Sequence, residues 1–122
     1  MIGYVTLGTN DLARAAKFYD DLLGLTGAKR LMDFGTFIMW GTSMDACGLA
    51  ITQPFDKNKA TVGNGVMAAI RADSKAKVDA LYKKALELGG TDEGPAGPRG
   101  DGFHAGYFRD LDGNKLNAFF TG

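Results

Sequence analysis

The chain repeats itself. A shift of 63 residues lays Tyr4 on Met67, Asn10 on Asp73, Phe18 on Leu81, Tyr19 on Tyr82, Leu25 on Leu88 and Gly27 on Gly90. Further along, the shift drifts to about 67, which a longer loop in the second half accounts for. Most matched residues are alike in class rather than identical. Self-similarity at a fixed offset is the mark of a duplicated unit. A single small unit of this kind leaves one face of its sheet unburied, and pairing two units covers both.

Hydrophobic periodicity says what each unit contains. Gly3 to Leu7 is a short β-rich run, and Thr9-Asn10-Asp11 offers a helix N-cap, with Asn10 the best-placed acceptor. Leu12, Ala15, Ala16, Tyr19, Leu22 and Leu23 then recur at helical spacing, and Gly24 or Gly27 can end that helix. Three strands follow, around Leu31-Met32, Phe37–Trp40 and Leu49–Ile51, separated by Gly, Asp and Ser.

Residues 53–65 show no apolar periodicity and read as a connector. The pattern then restarts with a strand over Val66–Ile70 and a helix capped by Asp73 or Ser74. Its apolar face is Val78, Leu81, Tyr82, Ala85 and Leu88, and Gly89-Gly90 stops it. A loop rich in Gly and Pro is expected next. Strands around Phe103–Arg109 and Leu116–Phe120 come after it, joined by the turn Asp110–Asn114. The predicted class is α+β: one domain over 1–122, with a β-α-β-β-β module at about 1–52, the connector at about 53–65 and a second module at about 66–122.

The bulk properties exclude several roles. Lys plus Arg and Asp plus Glu are 14 each, so no net charge advertises a nucleic acid or an anionic membrane as partner. No apolar run approaches a membrane span. Cys47 is the only cysteine, which fits a reducing compartment, and the N-terminus reaches a helix start too soon for a signal peptide. The expectation is a cytoplasmic protein.

Three stretches resemble the vicinal oxygen chelate superfamily, the glyoxalase, bleomycin resistance and extradiol dioxygenase proteins. They are GYVTLGTNDLARAAKFYDDLLGL, GNGVMAAIRADSKAKVDALYKKALELGG and GYFRDLDGNKLNAFF, covering nearly the whole chain. The last is the most specific. The resemblance implies paired β-α-β-β-β modules curling into an open, cup-shaped mixed sheet, assembled as a homodimer.

It also implies where a metal would sit in metal-dependent members, on the first and last strand of each module. Those positions here are Tyr4, Ala50, Met67 and Asn117. Tyr4 is a phenol that would have to ionise, and Met67 is a soft thioether. Ala50 has no donor, and Asn117 has only a neutral amide oxygen. A one-residue slip rescues none of the first three. No metal and no cofactor is therefore expected, and metal-dependent glyoxalase or dioxygenase chemistry is expected to be absent, because both need the ion.

The remaining candidates line a pocket or carry protons. Tyr4, Met67 and Asn117 are assigned to the ligand pocket on the strength of the resemblance, against the plainer reading that they fill a closed cavity. Trp40 is either core or an aromatic wall for a planar ligand. His104, alternating with Gly106 and Phe108, is either structural or a pocket base.

Several motifs carry nothing. Asp110–Asn114 has its Gly in the wrong place for a calcium loop and no closing Glu. Arg99-Gly100-Asp101 and Gly63-Asn64-Gly65 lack the context their motifs need, and Cys47 has no nearby His. Two function classes stay open. One is a metal-free binder of an unidentified small molecule. The other is a metal-independent lyase, isomerase or related enzyme with His104, Tyr4 or Tyr107 as proton carrier. The absence of an acid–base pair near a nucleophile favours the binder.

Overall fold

A computed structural model describes residues 1–122, which form two compact units, 1–63 and 64–122. The first contains β1 (Tyr4–Gly8), α1 (Leu12–Gly24), β2 (Lys29–Asp33), β3 (Phe37–Gly41) and β4 (Gly48–Thr52). The second contains β5 (Ala68–Arg71), α2 (Lys75–Glu87), β6 (Thr91–Pro98), β7 (Phe103–Arg109) and β8 (Lys115–Thr121). The two helices sit 63 residues apart at both ends, as the repeat requires. Each unit builds one four-stranded mixed sheet, in the orders β1-β4-β3-β2 and β5-β8-β7-β6. The outer pairs β1–β4 and β5–β8 are parallel and the rest antiparallel. Neither helix is long and apolar enough to cross a membrane.

In the first unit α1 buries Ala15, Ala16, Phe18, Tyr19, Leu22 and Leu23. Its indexing residue on the sheet is Trp40, whose ring lies 5.7 Å from that of Tyr19. The indole N–H donates to Asp20 at 2.8 Å, and Arg30 grips the same carboxylate at 2.9 and 2.8 Å. One acidic residue thus ties α1 to β3 and β2. Strand alternation then puts Leu7, Ile38 and Ile51 on the α1 side. Tyr4, Phe37, Met39 and Ala50 lie on the opposite, helix-free side, where the rings of Tyr4 and Phe37 meet edge-on at 6.1 Å.

In the second unit Val78, Leu81 and Ala85 of α2 are buried. Gly106 faces them from β7. A Cβ there would stand 3.0 Å from the Cβ of Tyr82, so the absent side chain lets helix and sheet approach. Ser74 is the N-cap, accepting from the Lys77 amide at 3.1 Å. The β7–β8 turn is locked from within: Asp110 accepts from the amides of Asp112 and Asn114, each at 2.9 Å, and from the Asn114 side chain at 3.0 Å.

Three sequence expectations need correction. The N-cap of α1 is Asp11, which accepts from the Arg14 amide at 3.0 Å. Asn10 is engaged elsewhere: its side chain exchanges hydrogen bonds with the Ala60 backbone at 2.7 and 3.1 Å, pinning part of the connector. The Gly- and Pro-rich segment after α2 is strand β6 and not a loop, though its pairing with β7 slips register twice. An edge strand tolerates Pro and Gly because only one side must present a regular ladder. Finally, β5 begins at Ala68, leaving Val66 and Met67 just ahead of it.

Candidate functional site

The helix-free face of the second sheet holds the one buried side-chain atom that lacks a hydrogen bond. That atom is Oδ1 of Asn117, in a residue only 3% exposed. Its place follows from register. His104 and Gly106 face α2, so Phe103, Ala105 and Tyr107 face away from it. Asn117 pairs with Tyr107 on one side and with Ala69 on the other, and therefore shares their face. Leaving a buried acceptor unpaired costs about 1–3 kcal/mol, so an orphan of this kind calls for a reason.

Its neighbours are cations seated on rings. Along β8 the residues on this face are Lys115, Asn117, Phe119 and Thr121. The Lys115 ammonium lies 5.7 Å from the Tyr107 ring centroid, and the Arg99 guanidinium 5.6 Å from the same centroid. At the other end Arg71 lies 5.0 Å over Phe119, which stacks on Phe103 at 5.7 Å. Arg109, on the same face, is paired with Glu93 and donates to the Gly113 carbonyl at 2.8 Å.

The five sequence candidates do not share one face. Asn117 is on the helix-free side of the second sheet, and Met67, 41% exposed, precedes β5 at the Lys115 end. Tyr4, 55% exposed, occupies the helix-free side of the first sheet. Trp40 is only 1% exposed and lies against α1, so it packs the core and forms no aromatic wall. His104 lies on the α2 side, where its Nε2 stands 2.8 Å from Asp79 Oδ1. Sequence reasoning passed over Arg71, Arg99 and Lys115. The alternation of Lys115 with Asn117 along one strand was visible, but the face that all three share depends on strand pairing.

A family model described as the glyoxalase/bleomycin resistance protein/dioxygenase superfamily matches residues 1–118. The chain belongs to this superfamily. It is 36% identical to a glyoxalase/bleomycin resistance protein from Albidiferax ferrireducens T118, covering 98% of this chain and 97% of that one with a TM-score of 0.90. A glyoxalase-related enzyme from Fulvimarina pelagi is 23% identical, with 99% and 88% covered and a TM-score of 0.77. A lactoylglutathione lyase from Agrobacterium tumefaciens is 22% identical, with 98% and 92% covered and a TM-score of 0.70. At those identities the last two show the fold alone. A comparison with curated proteins gave no match.

Metal-dependent members of the superfamily need hard or borderline donors at the first and last strand of each module. Taken unit by unit, this chain supplies a phenol and a methyl group in the first, from Tyr4 and Ala50. In the second it supplies a thioether and an amide, from Met67 and Asn117. No three side chains among His, Cys, Asp and Glu cluster in either unit. The donor set does not fit a divalent ion.

Proposed function

We propose that this protein is a superfamily member that binds a small organic molecule without a metal, on the helix-free face of its second sheet. The buried, unpartnered Oδ1 of Asn117 carries the reading. It stands where metal-dependent relatives place a ligand atom, but it can only accept a hydrogen bond. A ligand O–H or N–H satisfies it, and the surrounding rings of Tyr107, Phe119 and Phe103 supply apolar contact. The competing reading is a metal-independent enzyme, and its support is the His104–Asp79 pair, in which a carboxylate orients an imidazole.

Fragment screening by ligand-observed NMR tests the proposal, run on the wild-type protein and on Asn117→Leu. The reading expects hits that persist in excess chelator and vanish in Asn117→Leu. Hits that ignore the substitution would sink it, and so would a stoichiometric, tightly held metal in the purified protein.

A further inference from the structure

Arg99, Lys115 and Arg71 all lie on the helix-free face, and none of them forms an ion pair. Arg99 is the most constrained. Its guanidinium donates to the carbonyls of Pro95 and Pro98, both neutral acceptors, while it covers Tyr107. Two glycines lie beside it at ordinary contact distance. A Cβ at Gly94 would stand 3.5 Å from Nη2, and a Cβ at Gly97 would stand 3.4 Å from Nη1. The charge is thus fixed in place yet uncompensated. Lys115 brings a second positive charge to the same ring. Arg30 and Arg109, by contrast, each have a carboxylate partner.

Spacing sharpens the picture. Alternate Cα atoms on one strand are about 7 Å apart, which separates the backbones of Asn117 and Lys115, but the Lys115 ammonium leans over Tyr107, the direct cross-strand partner of Asn117. Ala69, the cross-strand neighbour of Asn117, has a small exposed side chain and leaves a shallow floor. Met67 lies at the Lys115 end of that floor.

We infer that this face binds a small aromatic carboxylate that also carries a hydrogen-bond donor. The carboxylate meets Arg99 and Lys115, and the donor meets Oδ1 of Asn117. Charge-assisted bonds to a fixed guanidinium are the strongest available here, and filling the site relieves repulsion among cations gathered on one face. This deepens the binding function proposed above and rests on it.

The test is calorimetric titration with para-hydroxybenzoate, with its methyl ester and with benzoate, at low and high salt. The acid is expected to bind about tenfold more tightly than either analogue, and more weakly as salt rises. Arg99→Ala and Lys115→Ala should each weaken the acid about tenfold at a temperature where circular dichroism shows both variants folded, and Arg99→Lys should lose less. Equal binding of acid and ester, binding indifferent to salt, or no binding of the acid overturns the inference. If neutral fragments still bind in an Asn117-dependent way, only the anionic class is lost. If nothing depends on Asn117, the binding function falls as well.

Discussion

Nε2 of His104 lies 2.8 Å from Oδ1 of Asp79, linking β7 to α2 on the side of the second sheet opposite Asn117. Asp79 is well exposed, so the pair contributes no more than about 1 kcal/mol. Asp79→Asn should lower the stability by that amount or less in a denaturant titration. His104→Ala should lower the melting temperature while leaving ligand affinity untouched. A loss of affinity in His104→Ala with intact folding would move the functional site to this side and revive the enzymatic reading.

Asp20 is the electrostatic link of the first unit. Its carboxyl is held below the usual 3.8, chiefly by the Arg30 hydrogen bond, with burial opposing and the Trp40 N–H assisting. A depressed folded pKa means stability that is present above the unfolded value and lost as pH falls through the folded one. Asp20→Asn should therefore cost up to about 1 kcal/mol near neutral pH, discounted because the carboxylate is partly exposed to solvent. The gap between wild type and variant should close only below pH 3.8, in urea titrations taken as a function of pH.

Two glycines should respond to alanine in opposite directions. A Cβ at Gly90 would stand 2.7 Å from the Arg109 carbonyl oxygen and 2.8 Å from that of Ala85, both backbone atoms. Gly90→Ala should cost about 1–3 kcal/mol. Gly24, the last residue of α1, has open space around it. Gly24→Ala should stabilise by up to about 1 kcal/mol through helix propensity. Thermal melts of the pair decide it; similar shifts in both would mean the close approach at Gly90 is not rigid.

Asn117→Leu should raise the stability of the ligand-free protein by about 1 kcal/mol, because it replaces an unsatisfied buried amide with an apolar group of similar size. The same variant should lose ligand binding. A clear destabilisation would mean that the amide has a partner in solution, and that its orphan status is not a binding feature.

Much of this was written in the sequence, and the reason is local. Duplication, helix limits and the closing hairpin depend on periodicity, caps and turn residues, all set within a few neighbours. The two helices fall where the repeat puts them, and Asp110 closes the β7–β8 turn with groups two and four residues away. The unsuitable donor set at Tyr4, Ala50, Met67 and Asn117 was also legible, because it depends on residue type alone.

Other features required the fold. Strand β6 is carried by its partner β7 despite Pro and Gly, so its own composition misreads it. Asn10 could cap α1, but Ala60, 50 residues away, takes its side chain and Asp11 caps instead. Trp40 and His104 looked like candidates for the same pocket as Asn117. Only the register, set by long-range backbone hydrogen bonds, turned them toward the helices. The same register gathers Arg71, Arg99 and Lys115 around Asn117. Residue identity is local, whereas the face a strand residue occupies is fixed by partners distant in sequence, and the sequence alone does not specify them.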